Sequence, residues 1–362
     1  MNLFKASSQW SSRPNDEKFH SIHDLHHAVL GYKQSAVEKE VKFASLTAMA
    51  KSPLTGGSEV VVMGPQGGEA RLTNWSFGQL SARVGAPASY LRTLPAPLAA
   101  QALNHGIQKR GAADEEQAKL LFHRNGSLLC RAFTSPKYTR IWNADVTQRL
   151  LKLEERGPWT PAPAAFDGTR GLYASDHDMF AFLVDNGRRI FEKLPGGGLS
   201  RGFFVWNSEV GASAFGIMTF LYEYVCGNHI VWGAKGVKEL RIRHVGNADE
   251  RVFSQLQGQL REFADASASE DEAIISRALS FKLGDNKDEV LDKVFAMNIP
   301  NLSQKVIEAG YTRAVEGADK YGDPRMVWGV VNGLTEVARD LPYADERVAL
   351  DRAAGKVMEV VF

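Results

Sequence analysis

The residues best suited to chemistry begin with a run of histidines. His20, His23, His26 and His27 fall within eight positions, with Asp24 among them. His23 and His27 stand four apart, so a helix would put both imidazoles on one face, as a zinc site needs. No Cys or further acidic partner is fixed by the sequence, so a solvated helix face is expected and no metal is assigned. A second group is Asp176, His177 and Asp178, with Glu209 some way along the chain. Such carboxylates can hold divalent metal for phosphodiester cleavage. Read more simply, they form a turn in which Asp side chains accept backbone N–H groups. The turn is the expectation.

Other chemistries lack their signatures. Gly196-Gly197-Gly198 is glycine-rich, but no G-x-x-x-x-G-K-[ST] sequence is present, which argues against an ATP-binding loop. Ser208 and Ser213 lie outside any G-x-S-x-G elbow. Cys226 sits in an apolar, aromatic stretch and reads as a buried thiol rather than a nucleophile. Asn207, Glu209 and Asn228 are polar residues inside apolar segments, which predicts an internal hydrogen-bond network.

The clearest binding signal is basic. Residues 117–144 carry Lys119, Arg124, Arg131, Lys137 and Arg140 and no acidic residue, with Phe122, Phe133, Tyr138 and Trp142 interleaved. A second cluster is Lys235, Lys238, Arg241, Arg243 and His244, and a third is Arg188, Arg189, Lys193 and Arg201. Cations follow a phosphate backbone and aromatic faces stack on unpaired bases. The same pattern also arises on a half-buried sheet whose aromatics turn into the core.

Several elements must position these residues. Ser21 to Tyr32 reads as a helix, and Glu59–Met63 as a strand. Thr73-Asn74 caps a helix that Gly85 ends, Pro87 starts another turn, and a further helix runs through Ala99, Leu103 and Ile107. Leu120–His123 and Ser127–Phe133 flank Arg124-Asn125-Gly126, a strong hairpin signal. Asp145–Leu153 reads as helix, and Gly171–Asp185 and Gly202–Trp206 as strands. Ala212–Val225 is apolar and open to either assignment, and Ile230–Trp232 and Leu240–Val245 read as strands. Beyond Asn247 the spacing becomes helical. The fold class expected is α+β: a curved antiparallel sheet with packed helices, followed by a helical C-terminal region. The expected divisions are a loosely ordered, helical 1–58, a mixed α/β body at 59–248 and helices at 249–362.

The chain has 362 residues and a net charge of +1, which at first argues against a nucleic-acid partner. The average conceals a split. Residues 1–248 hold 29 Lys+Arg and 21 Asp+Glu, whereas residues 249–362 hold 14 and 21. A basic body is thus followed by an acidic helical region, and the two can meet head to tail between copies as a ring or filament. Two cysteines in this length are no disulfide framework, no leader pattern is visible, and the apolar runs are too short to span a bilayer. A cytoplasmic protein without a membrane partner is expected.

Five segments carry a family resemblance. They are Phe77-Gly78-Gln79-Leu80-Ser81-Ala82-Arg83-Val84-Gly85-Ala86-Pro87, then Arg131-Ala132-Phe133-Thr134-Ser135-Pro136-Lys137-Tyr138 with Asn143 and Asp145, and Ser175-Asp176-His177-Asp178-Met179-Phe180. The fourth joins Asn207-Ser208-Glu209-Val210-Gly211 with residues 224–233, and the last runs from Trp328 to Glu336. Together, over about residues 60–340, they resemble an uncharacterised-domain family of phage- and plasmid-encoded proteins, often called "phage/plasmid-like protein". That family has no firmly assigned activity. Its genomic setting suggests a remoter likeness to single-strand annealing recombinases of the Red-beta and Erf kind. Those assemble into rings or filaments and use no nucleotide cofactor.

The expected function is therefore binding, and possible annealing, of single-stranded DNA in recombination, without a cofactor. Arg124, Arg131, Lys137, Arg140, Lys235, Lys238, Arg241 and Arg243 would neutralise phosphates, and Tyr138 or Trp142 would stack on bases. The alternatives are a metal-dependent nucleic-acid enzyme built on Asp176, Asp178 and Glu209, and a module that occupies a host defence protein.

Overall fold

A computed structural model describes residues 17–51, 59–63, 67–111, 117–161, 171–190, 192, 198–223, 229–230, 240–252, 254–255, 258, 269–340, 350 and 353–358. In chain order the first elements are β1 (Lys18–Phe19), α1 (Ile22–Gln34), β2 (Ala36–Lys42), β3 (Ala48–Lys51), β4 (Glu59–Met63) and β5 (Glu69–Leu72). Three helices follow, α2 (Asn74–Arg83), α3 (Ala88–Leu91) and α4 (Ala96–Gly111). The hairpin β6 (Gln117–Asn125) and β7 (Ser127–Thr134) leads into α5 (Asn143–Arg156). Strands β8 (Trp159–Pro161), β9 (Leu172–Ala174), β10 (Met179–Ile190), β11 (Leu199–Asn207), β12 (Phe215–Glu223), β13 (His229–Ile230) and β14 (Leu240–Ile242) come next. The chain then turns helical, with α6 (Ser269–Ser280), α7 (Lys287–Ala296), α8 (Gln304–Glu316), α9 (Ala318–Tyr321) and α10 (Val327–Asp340).

The α+β class and the helical C-terminal region are as expected, but the strands divide into two sheets. The first runs β2-β6-β7-β5-β4-β3, antiparallel except where β5 lies parallel to β7. The second runs β1-β9-β10-β11-β12-β13, with β8 on β10 and β14 on β12, and is antiparallel throughout. Residues 17–51 contribute strands to both sheets.

Local chemistry explains the elements. Ser21, Thr73, Asn286 and Ser303 each accept a backbone N–H from the first turn of the helix they open. At the β6–β7 turn Asn125 pairs with Ser127, leaving Gly126 at the tip with φ +68°, a region glycine enters without a Cβ clash. The stretch 171–185 was read as one strand and is two, because a turn at 175–178 intervenes. The open segment 212–225 is strand at Phe215–Glu223.

Among the described residues three large apolar cores result, with a small cluster of Leu121, Ala132 and Val210 between the sheets. One lies between the first sheet and α2–α4, around Leu80, Leu103, Ile107, Leu120 and Phe122. A second lies between the second sheet and the pair α1 and α5, joining Leu25 and Val29 to Val146, Leu150, Phe203 and Phe215. Alternation sends the other residues of β10 and β11 to the opposite face. There Phe180, Phe182, Phe204 and Trp206 form a buried ladder of rings whose neighbours lie 5.0–5.9 Å apart. The third core binds α6–α8 and α10 together and takes in Ile190 and Leu199, so the C-terminal helices pack against the adjoining ends of β10 and β11. No helix among the described residues is long and apolar enough to cross a membrane.

Candidate functional site

Two of the basic segments meet. After β7 the chain passes back along the loop that follows β14. Tyr138 forms an antiparallel bridge with Val245, Thr139 N donates to His244 O at 2.9 Å, and the Thr139 hydroxyl donates to Gly246 O at 2.6 Å. In this antiparallel register Lys137 lies opposite Gly246, with Arg243 three and Arg241 five residues back along the partner segment, and all three are exposed. Arg124 is also exposed, but it pairs with Leu128 at the hairpin tip, whereas Lys119 pairs with Thr134 at the base. It therefore sits at the far end of the hairpin. Lys235, Lys238, Lys193, Cys226 and Asn228 lie outside the described residues.

Two of the expected phosphate contacts point inward. Arg131 is 2% exposed and Arg140 6%. Arg131 pairs with Glu209 at 3.1 Å, donates to Asp176 O at 2.7 Å and lies over the Tyr32 ring. Arg140 donates from Nε to Glu38 at 2.5 Å, with its guanidinium 5.4 Å from the Tyr138 ring and 5.6 Å from that of Trp142. A charge buried this far must be paired. Sequence alone did not show the partners, because Glu209 and Glu38 are 78 and 102 positions away. Neither aromatic is a free stacking platform. Tyr138 stacks on His244 at 4.9 Å and donates its hydroxyl to Ser208 O, and Trp142 carries Lys33 as well as Arg140 on its ring. Burial raises the Tyr138 phenol well above its ordinary value, so it stays protonated.

Glu209 lies at the centre of a polar seam between the two sheets. One carboxylate oxygen takes Arg131, and the other accepts Asn143 N at 2.9 Å. That N–H opens α5, whose cap residue Trp142 has no side-chain acceptor, so Glu209 caps the helix from a distant strand end and meets its positive pole. Asn207 donates to Ile141 O and to the Asn143 side chain, so Asn207 and Glu209 both join an internal network through Asn143. Trp75 and Gln79 both donate to Val210 O, and Gln79 accepts Phe133 N. Four of the resemblance segments thus converge here, through Gln79, Arg131, Asp176 and Glu209. Gln79 falls within the resemblance segment 77–87 without being singled out there, and no signal in the sequence marks Trp75.

The remaining candidates are structural. Ser175, rather than either Asp, organises the 175–178 turn by accepting His177 N and Asp178 N and donating to Asp178 Oδ1 at 2.8 Å. His177 contacts Asp176 and stacks on Trp75. Glu209 is committed to Arg131, and among the described residues no three His, Cys, Asp or Glu side chains gather as a metal would need. In the histidine run, His26 bonds Thr147 across to α5, and burial lowers its basicity. Cys130 is buried, and burial drives its thiol far above the ordinary range.

No curated protein and no solved structure matches the chain. A family model does match, over residues 132–346, a stretch that holds the seam residues Asn143, Asn207 and Glu209, the exposed cations Lys137, Arg241 and Arg243, and the C-terminal helices as far as α10. With more than half its length covered, the chain belongs to the family described as a domain of unknown function, DUF932.

Proposed function

We propose that this chain is a DNA-binding protein of mobile-element origin that holds single strands through their phosphates and promotes annealing in recombination. The observation that carries the reading is the Tyr138–Val245 bridge, which joins the segment carrying the exposed Lys137 to the segment carrying the exposed Arg241 and Arg243. Clustered exposed cations release counterions from a bound strand and so provide affinity without sequence preference. Support for a mobile-element setting comes from the segments shared with phage- and plasmid-encoded proteins. Because the aromatics are occupied by the protein's own cations, phosphate contact rather than base stacking dominates the proposed interface.

The test is fluorescence anisotropy of a labelled oligo-dT strand across a salt series. Three phosphate contacts on a single strand give a slope of log affinity against log salt near about −2. No binding at low ionic strength overturns the reading.

A further inference from the structure

Arg140 is a buried cation that shares its acid with a second cation. Arg131 has Glu209 and Lys33 has Asp145, each with its own carboxylate. Arg140 and Lys119 share one, since Glu38 Oε1 takes Arg140 Nε and Glu38 Oε2 lies 3.4 Å from Lys119 Nζ. Neither Tyr138 nor His244 adds a negative charge beside Arg140. Tyr138 is held protonated by burial, and His244 is held neutral with its Nδ1 directed at Thr139 O.

The same guanidinium is also incompletely bonded. Arg140 Nη1 and Nη2 are both buried and have no hydrogen-bond partner, although Nε is fully used. Two parallel N–H donors on a buried guanidinium match the bidentate geometry of a phosphate. The tyrosine and tryptophan rings against the guanidinium keep it desolvated, which strengthens any charged hydrogen bond formed there. Both rings are half-buried, and Trp142 stands where the loop enters α5.

We propose that the terminal nitrogens of Arg140 are a receptor for one phosphate group. This inference rests on the nucleic-acid reading above and deepens it: the exposed Lys137, Arg241 and Arg243 gather the strand, and Arg140 takes one of its phosphates as a fork. The chemistry is shared by a phosphodiester in a strand and by free inorganic phosphate, so both serve as probes.

The test compares the full chain with Arg140→Lys, which keeps the positive charge for Glu38 and loses the fork. Against labelled oligo-dT at low salt, wild type is expected to bind roughly tenfold more tightly than R140K, as for loss of one charged hydrogen-bond pair. Its salt slope should be steeper by about 0.7. Equal binding and equal slopes overturn the receptor while leaving the nucleic-acid reading intact. If wild type does not bind oligo-dT, that reading fails, and the receptor is decided by inorganic phosphate alone. A rise in melting temperature with phosphate in wild type and none in R140K supports it, and no rise in wild type overturns it. The far-ultraviolet circular dichroism of R140K, matched to wild type, shows that any loss is not unfolding.

Discussion

Glu209 and Arg131 pair at 3.1 Å with side chains only 1% and 3% exposed, across the seam between the two sheets. The carboxylate has a second duty at the first N–H of the helix Asn143–Arg156. Removing either partner strands a buried charge, whereas removing both does not. Glu209→Ala is expected to cost about 3–5 kcal/mol of stability by urea unfolding, and Arg131→Ala a similar amount. The double substitution Arg131→Met, Glu209→Leu should cost well below the sum of the two. Additive costs would show that the two side chains do not act as a pair.

Acid should destabilise the fold through its neutral histidines. Burial lowers His244 to about 4, and Arg140 adds to the shift. Burial also lowers His123, with Arg131 the next cause. A folded-state value below the unfolded one means that the unfolded chain takes protons first. The stability contribution is therefore complete above about 6.5 and is lost as pH falls through the window toward 4. For His244 the loss is at most about 3 kcal/mol. Melting temperatures measured from pH 7.5 to 4.5 should fall, and His244→Gln should flatten the decline. An unchanged pH profile in that variant removes His244 from the account.

The C-terminal helices are tightly packed at a glycine crossing. A Cβ on Gly333 would stand 2.0 Å from Gly310 O and 2.8 Å from Ala314 N, both backbone atoms of the facing helix. The helices Gln304–Glu316 and Val327–Asp340 would have to separate. Gly333→Ala is expected to cost about 1–3 kcal/mol despite its better helix propensity. Gly31→Ala meets nothing within 4 Å and should be neutral or slightly stabilising. Thermal unfolding of the pair checks both.

The charge split predicts self-association. A basic body and an acidic C-terminal region on one chain attract between copies as well as within one. Light scattering at low salt should give a mass above 39.8 kDa that falls toward it as salt is raised. A strictly monomeric mass at low salt contradicts the proposed ring or filament.

Much of the fold was legible where local chemistry decides it. The Thr73 cap, the Asn-Gly hairpin and the helical spacing beyond residue 269 each depend on neighbours in the chain. The strand Ala36–Lys42 was not legible. Its Glu38, Lys39 and Glu40 break any apolar alternation, because it is an edge strand that, among the described residues, pairs with Gln117–Asn125 alone. Charged residues on an edge are how sheets avoid pairing with other chains. The candidate site divided in the same way. That residues 117–144 and 235–244 are basic was evident, but the direction of each side chain was not. Lys137 faces solvent while Arg131 and Arg140 face acids that arrive from distant strands.

The central claim is that the surface joined by the Tyr138–Val245 bridge binds a single strand through its exposed cations. The most direct measurement is oligo-dT affinity of wild type against the triple variant Lys137→Gln, Arg241→Gln, Arg243→Gln at low salt. Wild type should bind with an affinity that falls steeply with salt, and the triple variant should bind at least tenfold more weakly with a slope shallower by about 2. Equal affinity and equal slope in the two proteins would contradict the account.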